Sequence, residues 1–247
     1  MNEQINRKNE MKSSLLALIA FFIYYLIHEI ATYATDPFLA GEFAYTWLNM
    51  HHLIQAALVL GIMILPFWKR TLSEWGINLK NLTQTTQILK TFTLGWIFFT
   101  TLYILISGWL SDWPPLIAFE LNAINITQYL VFESIIVGIS EELLFRGLLY
   151  RILRPKFKGK VSLFGMTVTS AGVLTAIIFA MAHIGFEFFP FAITSFNGMQ
   201  VFMALALGIF YAMVVERTGS LLGAILAHNI TDGWLSLLYI GITILNK

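Results

Sequence analysis

Long runs of apolar residues, separated by shorter polar segments, fill most of the chain. Seven of them are long enough to cross a bilayer as a helix, which takes about 20 residues: 13–34, 50–68, 88–110, 127–150, 168–186, 199–216 and 219–245. The pattern predicts an all-α, polytopic transmembrane helical bundle of seven spans. The last run is open to two interpretations: one long tilted helix, or a helix that breaks near Asp232 and Gly233 and adds an eighth span.

In the segments that separate these runs, Lys and Arg residues occur only in every second one. They occur before the first run, after the second, after the fourth and after the sixth, whereas segments 35–49, 111–126 and 187–198 contain none. Because cytoplasmic loops carry the excess of Lys and Arg, this alternation predicts a multi-pass protein with a cytoplasmic N-terminus. We divide the chain into a cytoplasmic tail (1–12), a group of N-terminal transmembrane helices (13–124) and a core (125–245).

Composition agrees with a lipid environment and excludes several kinds of site. Hydrophobic residues make up 57% of the chain and charged residues 12%, whereas soluble domains carry about 25% charged residues. The lipid bilayer is therefore one expected partner. A net charge of +1 without a basic stripe argues against nucleic acid as another. The absence of cysteine excludes disulfides, thiolate metal sites and a cysteine nucleophile.

Two adjacent acids lie inside the fourth apolar run, where ionised side chains cost several kcal/mol unless they are compensated. On a helix Glu142 and Arg146 are four residues apart and share a face. Glu141 is rotated from Glu142 by about 100°. The spacing therefore predicts that Arg146 holds one acid, while the other faces a cavity and is free to act as a general base for water.

Three further polar groups lie in the later apolar runs. His183 follows the sequence IIFAMA, and His228 and Asp232 are four residues apart on a predicted helix. A base, a proton-sharing histidine and two groups near a developing oxyanion are the components needed to hydrolyse a peptide bond.

The ordered motifs resemble those of the CPBP intramembrane proteases, a family that includes the CAAX prenyl endopeptidases and the bacterial abortive-infection-type proteins. The matching patterns are Glu-Glu-x-x-x-Arg at 141–146, Phe-x-x-x-His at 179–183 and His-x-x-x-Asp at 228–232. The resemblance implies that 125–245 is a protease core that cleaves a membrane-associated peptide or protein, and that the chain lies in a bacterial-type cytoplasmic membrane. It further implies that Glu141 and His183 activate water, that His228 and Asp232 stabilise the oxyanion, and that Glu142 and Arg146 support Glu141.

Two questions about chemistry stay open at this stage. Glu141, His183 and His228 are residue types that ligate zinc, but the chain lacks the His-Glu-x-x-His pattern of helical zinc peptidases. We favour a glutamate-dependent mechanism that requires no cofactor, with zinc as the alternative. The competing functions are a catalytically silent immunity or scaffold protein and a proton-coupled transporter. The sequence leaves the oligomeric state open.

A second group of polar residues lies in the first two runs. His28, Glu29, His51 and His52 are expected near the outer membrane surface. This arrangement invites a metal-site hypothesis, but we interpret the four residues as solvated interface residues.

Overall fold

A computed structural model describes residues 2–38, 45–110, 117–163, 166–188 and 190–245 of the chain. Parts of two predicted outer loops, 39–44 and 111–116, lie outside the described residues. The described part is mostly helical, with seven helices: α1 (Asn2–Thr35), α2 (Thr46–Met63), α3 (Leu82–Leu110), α4 (Ala123–Leu153), α5 (Ser170–Met181), α6 (Gly198–Thr218) and α7 (Leu222–Leu245).

Each predicted apolar run overlaps one of these helices, although some ends differ: α2 ends at Met63, five residues before the end of the second run. The fifth run was expected to be helical to residue 186, but α5 has only 12 residues and ends at Met181. The last run is a continuous helix of 24 residues, so α7 does not break near Asp232 and Gly233.

Four helices are long and apolar enough to cross a membrane by themselves: α1 from Met11, α3 to Trp109, α4 and α6. Helices α2 and α7 also have 18 or more residues. Each carries several polar side chains that are buried inside the protein, such as Gln55 in α2 and His228 in α7. Buried polar groups lower the mean hydropathy of a helix although they need not contact lipid. The seven-span topology with a cytoplasmic N-terminus stays a prediction.

Two short β-hairpins connect the later helices. Strands β1 (Lys160–Leu163) and β2 (Met166–Thr169) pair in antiparallel fashion between α4 and α5. Strands β3 (Gly185–Phe188) and β4 (Phe191–Ser195) pair between α5 and α6. The first hairpin leads into α5 through Thr169, whose hydroxyl accepts a hydrogen bond from the Gly172 amide at 3.2 Å and so caps the helix.

Helix α4 is the central element, and its geometry changes around the acidic pair. Two π-helical segments, Phe132–Ile136 and Leu143–Leu149, flank the α-helical segment Val137–Glu142. All seven residues of the second π-helical segment are buried. Wide π-turns inside α-helices are frequent at functional sites. Here they border the six residues that end with Glu141 and Glu142.

Helices α4 and α7 approach each other closely at Gly138. The Gly138 amide donates to the side-chain oxygen of Asn229 over 3.1 Å. A Cβ atom at position 138 would lie only 2.1 Å from that oxygen and 3.2 Å from the Cβ of His228. Glycine at this position therefore allows His228 to reach the acids of α4.

We expect Gly138→Ala to push α7 away from α4 and to lower the free energy of unfolding by about 1–3 kcal/mol, the usual cost of overpacking. Gly241→Ala, on α7, is the matched control because nothing lies within 4 Å of a Cβ at that position. Alanine is also favoured over glycine inside helices, so the control protein should be at least as stable as wild type. Unfolding of both variants in mixed micelles measures the difference, and equal stabilities would contradict this account of the α4–α7 contact.

Candidate active site

Glu142 and Arg146 form the ion pair that their spacing predicts. Arg146 Nη1 lies 2.8 Å from Glu142 Oε1, and both side chains are fully buried. The second terminal nitrogen of Arg146 donates to the carbonyl oxygen of Gly208 in α6 over 2.9 Å. A buried charge of this kind needs both a counter-ion and hydrogen bonds, and α4 and α6 together supply them.

His228 extends this pair from α4 to α7. Its Nδ1 lies 2.9 Å from Glu142 Oε1, and its Nε2 lies 3.1 Å from Asp232 Oδ2 and 3.6 Å from Glu141 Oε2. An ionised carboxylate only accepts hydrogen bonds. Each nitrogen of the His228 ring therefore has a carboxylate oxygen within hydrogen-bonding distance.

Glu141 occupies a different environment from its neighbour. Its side chain is 17% exposed, whereas that of Glu142 is fully buried. Glu141 lines a cavity of about 460 Å³, and Glu142 does not. The two adjacent acids are thus divided as the sequence predicts: one is paired with Arg146 and the other faces open space.

His183 lines the same cavity as Glu141. The predicted run placed His183 inside a helix. The structure instead places it on the turn that follows Met181. Its Nδ1 lies 2.8 Å from the Phe179 carbonyl oxygen. Because a carbonyl only accepts, this contact fixes the proton on Nδ1, and a neutral His183 then carries its lone pair on Nε2.

His228 and Asp232 do not line this cavity. His228 is 4% exposed, and Asp232 is the more open of the two, with a side chain that is 26% exposed. The structure therefore brings the four predicted catalytic residues into two adjoining groups, with Glu141 in contact with His228 and on the cavity wall with His183.

The histidines of the first two helices lie at this site, which the sequence interpretation missed. His28, Glu29, His51 and His52 all line the cavity that contains Glu141 and His183. The expectation of solvated interface residues is wrong for His51, which is 3% exposed and packs its ring 4.9 Å from that of His28. Their position depends on how α1 and α2 pack against α4, and no local pattern encodes that packing.

Two aromatic residues hold the charged groups in place. The Phe179 ring lies 4.6 Å below the Arg146 guanidinium, and its edge contacts the rings of His183 and His228. Tyr211 of α6 stacks on His228 with ring centroids 4.9 Å apart and donates to Thr231 over 3.0 Å. Phe179 belongs to the predicted motif, whereas Tyr211 lies in a uniformly apolar run that gave no signal.

The zinc alternative stays a hypothesis, and the surroundings of His228 bear on it. Nδ1 of His228 lies 2.9 Å from Glu142 Oε1, and Nε2 lies 3.1 Å from Asp232 Oδ2. Throughout the described ranges, no group of three His, Asp or Glu side chains is arranged to hold a metal ion.

Comparison with known proteins identifies the part of the chain that contains this site. Residues 123–234 match the family model of the Rce1-like type II CAAX prenyl endopeptidases. The matched stretch begins with α4 and ends two residues after Asp232, so it includes every predicted site residue. No curated protein and no solved structure matches the chain.

Proposed function

Because this chain belongs to the CPBP family of membrane CAAX proteases, we propose that it is an intramembrane endopeptidase that hydrolyses a peptide bond of a membrane-associated peptide or protein. One observation carries the proposal: Glu141, the acid that Arg146 does not hold, shares a cavity wall with His183. A carboxylate and a neutral imidazole facing one space are suited to activating a water molecule.

In the proposed reaction, Glu141 removes a proton from water while Nε2 of His183 accepts the second hydrogen bond of the same molecule. The resulting hydroxide attacks the carbonyl carbon of the scissile peptide bond. Glu141 then delivers its proton to the leaving nitrogen, so the products are a carboxylic acid and an amine. The hydrogen bond to Phe179 keeps His183 in the tautomer that this step requires.

The second part of the proposed mechanism is electrostatic stabilisation of the oxyanion. A protonated His228, 3.6 Å from Glu141, would place a positive charge close to where the tetrahedral oxyanion would develop. Such preorganised charge is usually the largest single contribution to acyl-transfer catalysis. In this proposal Glu142 orients the His228 ring through Nδ1, and Asp232 directs Nε2.

We expect His183→Ala to lower kcat/KM for cleavage of a candidate membrane peptide by about 10²- to 10⁴-fold, the usual contribution of a general acid–base group. The assay uses protein in phospholipid nanodiscs, with and without a chelator. Cleavage by wild type that resists the chelator is expected from the glutamate mechanism. Reversible inhibition by the chelator would favour the zinc alternative instead. Undiminished cleavage by His183→Ala would remove His183 from the mechanism.

A further inference from the structure

A second large cavity lies beyond the end of α4 that carries Arg151. It has a volume of about 560 Å³, and its lining contains five cationic side chains but one carboxylate: Arg70, Arg151, Arg154, Lys158, Lys160 and Glu74. Pro155 and Thr169 complete the lining. We refer to these eight residues as the basic cleft. None of them belongs to the candidate active site.

Arg151 is the least satisfied residue of the basic cleft. Its Nε and Nη2 atoms are buried and have no hydrogen-bond partner. The guanidinium packs against the chain at Gly76, where an added Cβ would lie 3.0 Å from Nη2. Buried donors without acceptors cost about 1–3 kcal/mol, and more when they are charged. The rest of the described structure therefore leaves the Arg151 charge only partly satisfied.

The acids around the basic cleft are already engaged elsewhere. Glu74 accepts hydrogen bonds from the amide and the hydroxyl of Thr71, at 2.7 and 3.0 Å. Both bonds lower the pKa of Glu74, and the bond from the amide has the larger effect. Glu216 is held by the amide and hydroxyl of Thr169. In the part of the chain that the structure describes, no salt bridge neutralises any of the five cations.

The basic cleft lies at the level expected for the surface of the membrane. It lies where the apolar helix α4 ends at Leu153, on the side predicted to be cytoplasmic. Arg70 stacks at 4.8 Å on Trp75, which is buried, and Trp75 packs edge-on against the partly exposed Trp68. Tryptophan side chains are enriched at the level of lipid headgroups. Phosphate groups of phospholipids are found at this depth.

We propose that the basic cleft is a binding site for the phosphate of an anionic phospholipid headgroup. The planar guanidinium of arginine matches two phosphate oxygens at once, and Arg151 and Arg154 both line the cleft. A phosphate in the cleft would supply the negative charge that these arginines lack. Anionic lipid is concentrated in the cytoplasmic leaflet, where basic residues attract it.

The test is binding of dihexanoyl phosphatidylglycerol and of inorganic phosphate to delipidated full-length protein, measured by isothermal titration calorimetry in detergent. Arg151→Gln/Arg154→Gln is expected to weaken phosphatidylglycerol binding by roughly fivefold or more per arginine, the scale on which basic residues contribute at anionic surfaces. Lys80→Gln/Lys90→Gln is the matched control, because it removes the same charge from two exposed residues outside the cleft. Arg154→Gln alone, an exposed position, serves if the double variant fails to fold.

Each outcome decides the proposal. Tighter binding of the lipid than of inorganic phosphate, lost only in the cleft variants, supports a headgroup site. Equal binding of the two ligands, lost only in the cleft variants, supports a phosphate site but makes a soluble phosphate its ligand. An equal loss in the lysine control would show diffuse attraction and overturn the proposal, and so would the absence of binding to wild type.

Discussion

Replacing Glu141 with glutamine is expected to lower peptide hydrolysis by about 10³-fold or more while the protein stays folded. Glutamine has nearly the same shape as glutamate but cannot take a proton from water, and general-base catalysis contributes about 10²–10⁴. The loss should be at the upper end, because the same carboxylate also returns the proton to the leaving nitrogen. The measurement is kcat/KM for a membrane peptide in nanodiscs, with unfolding followed in parallel.

Glu187→Gln is the matched control for this substitution. Glu187 lies on β3, is exposed and does not line the cavity of Glu141. It should therefore keep wild-type activity. Cleavage by Glu141→Gln at the wild-type rate would exclude Glu141 as the base. If this variant also keeps the function of the wild-type protein in the cell, the scaffold interpretation is favoured.

Breaking the ion pair beneath the site is expected to have the largest effect on stability. Arg146→Met leaves Glu142 with His228 as its one cationic partner in the described contacts and removes the bond to the Gly208 carbonyl. Removal of one partner from a buried pair costs about 3–5 kcal/mol. We expect a loss of this size in the free energy of unfolding, measured in mixed micelles.

The double variant distinguishes charge from packing. In Glu142→Gln/Arg146→Met neither buried charge is left without its partner, so it should recover part of the stability that Arg146→Met loses. Arg217→Met is the control, since Arg217 is exposed at the end of α6, and surface substitutions usually change stability by less than about 0.5 kcal/mol. A double variant less stable than Arg146→Met would mean that Glu142 stabilises the fold mainly through His228.

The predictions that succeeded were those that depend on local spacing. Glu142 and Arg146 are one helical turn apart in the sequence, so their pairing follows from helix geometry alone. The same holds for His228 and Asp232, which α7 brings to within 3.1 Å. The start of α5 at Ser170 agrees with the predicted run, whereas its end does not. The sequence AHIGF remains apolar beyond Met181 although the chain has turned into a β-hairpin, and hydropathy does not distinguish these two conformations.

The contacts that the sequence could not predict join residues far apart in the chain. His228 reaches Glu142 from 86 positions away, Tyr211 stacks on His228, and the histidines of α1 and α2 close the cavity around Glu141. All of these depend on which faces of the helices meet. In apolar helices, lipid-facing and protein-facing surfaces have similar composition, so periodicity does not identify the buried face.

By itself, the sequence determined the helical class, the order of the apolar runs, the family motifs and the charged pairs within single helices. These features follow from the high cost of polar groups in lipid and from the fixed rise and rotation of a helix. Only helix packing placed His28 and His51 beside the cavity of Glu141 and brought Arg151 to the lining of a basic cleft. Each of these depends on the packing of helices from different parts of the chain, which side-chain shape controls and which no short segment encodes.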